Sequence, residues 1–278
     1  MNPLTELAQQ AEQRLPEQAL PSREVLARLR KHPPGPMHII DPFKVPVAEA
    51  VEKTRALTRL GFPAIILAST DYEAFETRME PYVARVKAAT PLPVLLHFPP
   101  RRGTGFPLVA GADAVVLPAL LGSRDDYYVW KSYLETLLTL PGRMDREHWP
   151  EFLLTVALTF GEDSRTGDLL GTVPVSPALE ELDQHIAITR SFGFHMVYLY
   201  SRNSHVPPEV VRYFRDRLHP DQILFVSGNV RSAERIAVCL EAGADYVGFA
   251  GALEQPDWLP VLERMAATYS TDGPGTER

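Results

Sequence analysis

Eight short apolar segments alternate with helical segments along most of this chain, and this alternation limits the possible fold more than any other feature. Each apolar segment is too short for a helix and has the continuous apolar character of a strand buried on both faces. The predicted strands are 37–40, 64–68, 94–98, 114–117, 152–158, 196–200, 223–226 and 246–249. Amphipathic helices are clearest at 47–60, 72–88, 177–192 and 208–218. Strands that alternate with helices are typical of a parallel α/β sheet.

Because the alternation is unbroken over eight strands, we predict that the sheet closes into a (β/α)8 TIM barrel. A chain of 278 residues that is 45% hydrophobic can bury one core of that size. An open, doubly wound sheet is the alternative. We expect an N-terminal helical extension at 1–36, packed outside the barrel with a helix capped by Ser22, then the barrel domain at 37–268 and a disordered tail at 269–278.

The charge balance and the cysteine content exclude several classes of protein. A net charge of −7 argues against nucleic acid or anionic lipid as a partner. The single cysteine, Cys239, cannot form an internal disulfide, favours a reducing compartment, and lies on the apolar face of a predicted helix, as a core residue would. No apolar run approaches the ~20 residues of a transmembrane helix, and the N-terminus lacks a secretory signal. We therefore expect a cytoplasmic protein without a transmembrane segment.

Two turns near the C-terminus combine small residues in a way that suits a bound anion. Ser227, Gly228 and Asn229 follow the seventh predicted strand, and Ser232 can cap the helix after them; Ala250-Gly251 follows the eighth strand. Small residues let backbone N–H groups approach a phosphate, and TIM barrels build phosphate sites after their last two strands. The alternative is a tight βα turn that binds nothing.

Polar side chains at the ends of the first two strands indicate a cation site. Asp41 follows the first strand, and Ser69, Thr70 and Asp71 follow the second. Active-site residues of a TIM barrel lie at these strand ends, and Mg²⁺ prefers oxygen ligands. The alternative is that Asp41 is a turn residue and that Thr70 or Asp71 caps the next helix.

Histidines within or beside the apolar strands are expected in the core, and two arginines near a strand end are left open. His38, His97 and His195 are interpreted as core residues and not as ligands, because apolar residues surround them in the sequence. Arg101 and Arg102, after the third strand, could face a diphosphate or merely solvent.

The segment after the sixth strand is rich in groups that bind anions. It reads Tyr198-Leu199-Tyr200-Ser201-Arg202-Asn203-Ser204. Hydroxyls and an amide can bind a phosphate, and an arginine can hold a second anionic group with two hydrogen bonds. The alternative is a polar surface loop.

Five motifs, in the same order, resemble the geranylgeranylglyceryl phosphate synthase family and its bacterial heptaprenyl relatives, over roughly residues 37–253. The family's Leu-Asp-Pro-Asp/Asn-Lys is matched by Ile40-Asp41-Pro42-Phe43-Lys44, and its Gly-Gly-Ser/Thr-Asp by Ala68-Ser69-Thr70-Asp71. Its Gly-Ala-Asp-Ala segment of the fourth strand begins here at Gly111-Ala112-Asp113-Ala114. Its Gly-Gly-Gly-Ile-Arg-Ser turn is matched by Ser227-Gly228-Asn229-Val230-Arg231-Ser232, and its last Gly-Asn turn by Ala250-Gly251.

The resemblance implies a TIM-barrel prenyltransferase that joins a prenyl diphosphate to a hydroxyl of glycerol phosphate with the help of Mg²⁺. Asp41 and Thr70 would hold the metal and the diphosphate, and family members often form homodimers. The remaining residues implied in substrate or phosphate binding are Lys44, Tyr198, Ser201, Arg202, Ser204, Ser227, Gly228, Asn229, Ala250 and Gly251. We expect apolar walls for the prenyl chain from Phe43, Leu67, Leu96 and Trp130.

Two departures from the family pattern bear on the acceptor. The family's glutamate after the sixth strand, which contacts acceptor hydroxyls and can serve as a base, is Tyr200 here, and a glycine is Arg202. A guanidinium attracts a carboxylate roughly 4 Å away by about 4 kcal/mol at an effective dielectric constant of about 20, before desolvation costs. The change suits 3-phosphoglycerate as acceptor, farnesylated on its 2-hydroxyl with Tyr200 or the diphosphate taking the proton, as in the branch of the family that makes moenomycin-type phosphoglycolipid antibiotics.

Three other functions remain open at this stage. Prenylation of sn-glycerol 1-phosphate, the ether-lipid reaction, is the nearest. A phosphosugar isomerase or aldolase would use the same phosphate site but needs a carboxylate pair or a Schiff-base lysine, for which only Lys44 lies near a strand end. A barrel that binds phosphate without catalysis would explain the loss of the glutamate.

Overall fold

The computed structural model of the chain describes residues 24–70, 75–161 and 164–268 and shows a closed parallel barrel. The strands are β1 (Gly35–Ile40), β2 (Ile65–Ala68), β3 (Val94–His97), β4 (Ala114–Leu120), β5 (Glu151–Thr159), β6 (Met196–Tyr200), β7 (Ile223–Ser227) and β8 (Tyr246–Phe249). Each strand pairs in parallel with the next, and β1 pairs with β8, where Met37 lies opposite Gly248. The predicted (β/α)8 barrel is confirmed, and the open sheet is wrong.

Helices connect the strands on the outside of the barrel. The α-helices are α1 (Glu24–Lys31), α2 (Val47–Arg59), α3 (Phe75–Lys87), α4 (Ser132–Arg143), α5 (Ser164–Leu170), α6 (Leu179–Ser191), α7 (Pro208–Arg215), α8 (Ala233–Glu241) and α9 (Trp258–Ala266). A π-helix at Tyr127–Lys131 precedes α4, and short 3₁₀ helices lie at Arg146–His148 and Gly251–Leu253. No helix in the described ranges is long and apolar enough to cross a membrane.

The strands separate two apolar layers because successive side chains of a strand point to opposite faces. Ile66 and Leu95 point into the barrel. Leu67 and Leu96 are fully buried in the outer layer, between the strands and the helices. Cys239 is buried in that outer layer too, as predicted. Leu67 and Leu96 therefore cannot form walls of a site at the barrel mouth, and that expectation is wrong.

Helix α1 lies under the barrel and not beside it. Its Leu26 and Leu29 belong to the apolar cluster inside the barrel. The backbone N–H groups of Val25 and Leu26 donate to the carboxylate of Glu151 at 2.7 and 3.0 Å, and the hydroxyl of Tyr246 donates to the carbonyl of Leu29 at 2.6 Å. The helix thus closes the end of the barrel where the strands begin. The predicted Ser22 cap and the predicted tail at 269–278 lie outside the described residues.

Two long connections contain helices of their own. The segment 123–151 contains the π-helix and α4. The segment 160–175 contains helix α5. Its Leu170 belongs to the cluster inside the barrel, so this connection folds back over the barrel mouth.

Candidate active site

A cavity of about 380 Å³ opens at the ends of the strands from which the βα connections leave. Polar residues of β3, β5, β6 and β7 and of the segment after β2 line it, together with apolar residues of β1 and β4 and with residues of α5 and β8. Its lining includes Ile39, Ala68, Ser69, Thr70, His97, Pro99, Pro100, Pro118, Leu120, Thr166, Leu170, Tyr198, Tyr200, Arg202, Ser227, Gly228, Asn229, Arg231, Ala250 and Gly251. Active sites of TIM barrels lie at this face.

On one side of the cavity, the ends of β1 and β2 present oxygen ligands. The carboxylate of Asp41 accepts the backbone N–H of Phe43 at 2.9 Å through Oδ1, which holds it at the strand end. Its other oxygen, Oδ2, accepts the hydroxyl of Ser69 at 3.1 Å. Thr70 lines the cavity beside Ser69, and Asp71 lies outside the described residues.

These residues fit a Mg²⁺ ion that takes most of its ligands from a diphosphate and water. Mg²⁺ in phosphate-transfer sites is commonly held by one or two carboxylates and by substrate oxygens. Within the described ranges no group of three or more His, Cys, Asp or Glu side chains could hold a metal ion. Asp41, with a hydroxyl from Ser69 or Thr70, therefore makes only a partial site, which a diphosphate would have to complete.

Asp41 and its neighbour Lys44 do not themselves line the cavity, although Ser69, which donates to Asp41, does. The ammonium group of Lys44 is exposed and lies 3.8 Å from Oδ2 of Asp41 and 3.9 Å from Oε1 of Glu254. Arg102 is also absent from the cavity lining; it forms an exposed ion pair with Asp125 and covers the ring of Tyr127. The structure favours the interpretation in which Arg102 faces solvent over the one in which it faces a diphosphate.

The opposite side of the cavity is the turn after β7, whose backbone passes unusually close to the segment after β6. Gly228 has φ of 100°, and a Cβ built on it would lie 1.8 Å from the carbonyl oxygen of Ser201. Asn229 also has a positive φ, 52°. Ser232 caps α8, as predicted, and accepts the backbone N–H of Arg235 at 3.3 Å. The tight turn thus places small residues and a helix start against the cavity, an arrangement suited to a phosphate.

Some residues at and after the end of β6 line the cavity, and others are buried behind it. Tyr200 and Arg202 line the cavity. Ser201 is buried behind the turn, where its backbone N–H donates to the carbonyl of Ser227 at 3.2 Å and its hydroxyl pairs with that of Ser204 at 2.6 Å. Ser201 and Ser204 therefore support the turn from behind, whereas the resemblance implied that they bind the substrate or its phosphate.

Tyr198 contacts both Tyr200 of β6 and Ser227, the last residue of β7. Its hydroxyl lies 2.6 Å from Oγ of Ser227, and its ring centroid lies 5.8 Å from that of Tyr200. Burial raises the pKa of the Tyr198 hydroxyl well above its usual value, so this hydroxyl stays protonated at neutral pH.

His97 is a cavity residue that sequence reasoning assigned to the core. It is the last residue of β3 and lies opposite Ala68 of β2 in the sheet register. Its ring makes an edge contact with Tyr198 at 5.2 Å between centroids. His38 and His195 are buried, as predicted. His97 differs from the other two histidines because side chains alternate between the two faces of a strand. It lies on the same face as Leu95, which points into the barrel.

The apolar walls come from residues other than those predicted. Pro99, Pro100, Pro118, Leu120 and Leu170 line the cavity. Phe43 packs on Phe98 beside the site, outside the cavity lining. Trp130 is 53% exposed on the outer surface. The prolines and leucines form a rigid apolar surface between the two polar sides.

Comparison with known proteins relates the chain to one group of enzymes. It is similar to the geranylgeranylglyceryl phosphate synthase of Methanopyrus kandleri, with 29% identity over 240 residues, or 84% of this chain and 94% of that protein. The synthase of Ignicoccus hospitalis shows 29% identity over 234 residues, or 82% and 90% of the two chains. No family model matches the chain.

Solved structures show the same barrel. The structure of (S)-3-O-geranylgeranylglyceryl phosphate synthase from Thermoplasma acidophilum, in complex with its substrate sn-glycerol-1-phosphate, aligns with a TM-score of 0.73. The alignment covers 91% of this chain and 99% of that one at 21% identity, so it speaks to the fold. With the sequence relatives, it identifies the chain as a prenyltransferase built on a (β/α)8 barrel and similar to the geranylgeranylglyceryl phosphate synthases.

Proposed function

We propose that this protein joins the prenyl group of an allylic diphosphate to a hydroxyl of a glycerol-phosphate acceptor and releases diphosphate. The observation that carries the proposal is the composition of the cavity. Hydroxyl groups after β2, one of them bonded to the carboxylate of Asp41, an apolar surface of prolines and leucines, and a tight small-residue turn after β7 meet around one space. These are the three surfaces that a diphosphate, a prenyl chain and a phosphate acceptor require.

The donor would bind on the β1–β2 side. Asp41, with Ser69 or Thr70, would hold Mg²⁺ against the diphosphate, and the metal would neutralise the negative charge that develops as diphosphate leaves. Pro99, Pro100 and Leu170 would hold the prenyl chain and keep water from the allylic carbon. Farnesyl diphosphate is the donor that we propose.

The acceptor would bind on the β6–β8 side. Its phosphate would accept hydrogen bonds from the backbone N–H groups of two turns, one at Gly228 and Asn229 and the other at Ala250 and Gly251. Both turns line the cavity. Glycerol 1-phosphate is the acceptor favoured by the relatives, because the enzymes to which the chain is similar are named for products of that compound.

One observation favours 3-phosphoglycerate as a second candidate. Arg202 and Tyr200 both line the cavity at the end where the phosphate turn lies. The cavity therefore has a guanidinium but no carboxylate at the end of β6, a charge pattern that suits an acceptor with a carboxylate in addition to its phosphate. In this version the ether forms at the 2-hydroxyl, and the product would belong to phosphoglycolipid antibiotic biosynthesis.

The remaining alternatives lose support. No lysine is among the described residues that line the cavity, as a Schiff-base aldolase would require. A phosphate-binding barrel without catalysis disagrees with the similarity to named synthases over four-fifths of the chain. The solved barrels of an orotidine 5'-phosphate decarboxylase and of an aldolase align at 13–15% identity, which shows the fold alone.

A single assay tests the proposal. The purified protein is incubated with farnesyl diphosphate, Mg²⁺ and either glycerol 1-phosphate or 3-phosphoglycerate, and the prenyl ether is detected by mass spectrometry. We expect an ether with at least one acceptor and none without Mg²⁺. Failure with both acceptors, and with geranylgeranyl and heptaprenyl diphosphate as donors, would disprove the function.

We also propose a homodimer and a cytoplasmic location. Trp130, Leu134, Leu137 and Leu138 lie between 46% and 63% exposed on one face of the π-helix and α4, at a spacing that aligns them. A second copy of the chain would cover this apolar face. The single, buried cysteine fits a reducing compartment.

A further inference from the structure

His97 occupies the space between the two polar sides of the cavity. Through the β2–β3 register it lies opposite Ala68, which immediately precedes Ser69 and Thr70 on the donor side. Through its ring contact it touches Tyr198, whose hydroxyl is bonded to Ser227 on the acceptor side. Under the proposed function the bond between the prenyl carbon and the acceptor oxygen forms between these two sides, and His97 has neighbours on both of them.

Few other groups of the cavity can accept a proton at neutral pH. The described residues that line it include neither Asp nor Glu nor Lys. A guanidinium group has donors but no acceptor, so Arg202 and Arg231 offer no base, and Tyr198 keeps its proton because burial raises its pKa. The carboxylate of Asp41 already accepts bonds from Phe43 and Ser69 on the donor side.

The surroundings of His97 keep its imidazole neutral. Burial lowers the pKa of His97 from 6.5 to about 4, and among the described residues no charged group offsets that effect. A neutral imidazole has one nitrogen free of hydrogen, which can accept a proton. It is a weak base, but the hydroxyl oxygen becomes a far stronger acid than an imidazolium ion as its bond to the prenyl carbon forms. Proton transfer in the course of bond formation is therefore downhill, and it lowers the energy of the transition state.

We propose that His97 accepts the proton of the acceptor hydroxyl during prenyl transfer, a role that rests on the proposed function. The bond between the allylic carbon and diphosphate breaks, and its electron pair leaves with the diphosphate. A lone pair of the hydroxyl oxygen forms the new C–O bond, and the hydroxyl proton passes to the unprotonated nitrogen of His97. The imidazolium then returns the proton to diphosphate or to water. His97 thus accepts the proton in place of the family's glutamate, which this chain replaces with Tyr200.

Two substitutions separate proton transfer from hydrogen bonding and from packing. His97→Gln keeps hydrogen-bonding groups but removes the base, and His97→Ala leaves a space for an added base. With farnesyl diphosphate, Mg²⁺ and the acceptor that the wild type uses, we expect kcat to fall about 100-fold in both variants, within the range typical of general base catalysis. The KM values for both substrates should stay within about threefold, because general base catalysis acts on the transition state. Added imidazole should restore kcat of the His97→Ala variant about tenfold, whereas pyrazole, of similar size but much less basic, should not.

His195→Gln is the matched control, because this buried histidine lies at the other end of the barrel, before β6. It should keep the wild-type kcat and should not respond to imidazole. The inference is wrong if His97→Gln keeps more than about a third of the wild-type kcat, or if pyrazole rescues as well as imidazole. A wild-type enzyme that forms no ether with any donor and acceptor overturns the proposed function and this role together. An active wild type with an active His97→Gln variant overturns this role alone.

Discussion

The turn after β7 depends on a residue without a side chain. Gly228 combines a φ of 100° with an approach to Ser201 that leaves no room for a Cβ. The backbone of the turn can therefore press against the segment after β6, and Asn229 follows at the cavity. The position of the acceptor phosphate is thus set by backbone packing, which a methyl group would disturb.

Gly228→Ala should destabilise the fold and weaken acceptor binding. We expect the free energy of unfolding to fall by more than about 2 kcal/mol, because backbone strain of about 1–3 kcal/mol adds to a steric overlap. Gly103→Ala is the control, since Gly103 has φ of 93° but nothing within 4 Å of a built Cβ. Urea denaturation of both variants measures the difference, and equal losses would show that the close approach does not matter.

Arg202 is the residue that should decide between the two acceptors. If 3-phosphoglycerate is used, Arg202→Gln should lower kcat/KM for it about 10- to 100-fold, because a hydrogen bond to a charged group contributes about 1.5–3 kcal/mol. The value for glycerol 1-phosphate should change little, since that acceptor has no carboxylate. Arg217→Gln, on the exposed surface beside Asp183, serves as control. An unchanged ratio of the two values would remove the support for phosphoglycerate.

At the scale of elements, a single carboxylate attaches α1 to the barrel. Glu151 begins β5, is buried, and accepts the backbone N–H groups of Val25 and Leu26 at the start of α1. Those N–H groups have no partner within the helix, as at every helix start. The negative charge also lies at the positive end of the helix dipole, which favours the contact.

Glu151→Ala should loosen α1 from the barrel. We expect a loss of about 2–4 kcal/mol in the free energy of unfolding, because two buried donors lose a charged acceptor. Glu147→Ala, at an exposed side chain in the preceding 3₁₀ helix, should change it by less than about 1 kcal/mol. Thermal unfolding checks the stability, and hydrogen exchange should rise first in α1. A loss no larger than that of the control would contradict this role.

Sequence patterns predicted the strands well and α5 poorly, for a physical reason. Apolar runs such as Met196–Tyr200 and Tyr246–Phe249 were predicted with the bounds that the structure shows. Helix α5, Ser164–Leu170, has only two apolar residues, so no helical period is visible in its sequence. Its Leu170 becomes buried because the chain returns over the barrel mouth, a contact between residues distant in sequence.

At the scale of the whole molecule, one apolar face on the outside of the barrel has no cover within the described chain. Leu138 is the most exposed residue of the set with Trp130, Leu134 and Leu137. Exposed apolar residues scattered singly are normal, but an aligned row on one helix face marks an interface. The proposed second copy would bury it.

Leu138→Glu should shift the protein from dimer to monomer. A charge placed within an apolar interface loses its hydration in both copies, which costs several kcal/mol, on the order of a thousandfold in the dissociation constant. Leu179→Glu is the control, because Leu179 is 59% exposed at the start of α6. Sedimentation velocity over a range of concentrations measures the change. A monomeric wild type would disprove the dimer.

The amino-acid sequence by itself determined the barrel and most of the strand ends that carry its chemistry. Apolar strands that alternate with helices have few ways to bury both faces, and Asp41, Thr70, Tyr200 and the Gly228 turn follow directly from strand ends. Only the tertiary structure decided which of these side chains enter the cavity. Asp41, Lys44, Ser201 and Ser204 lie outside its lining, while His97 lies within it.

The reason is that orientation depends on the closed sheet. Whether a strand residue faces the barrel or the helices is decided by register and by the closure of β1 on β8, as Leu96 and His97 show by pointing to opposite sides. The local sequence determines which residue types occur at the strand ends. The packing of distant strands determines the direction in which their side chains point, and the proposed role of His97 as a base depends on that direction.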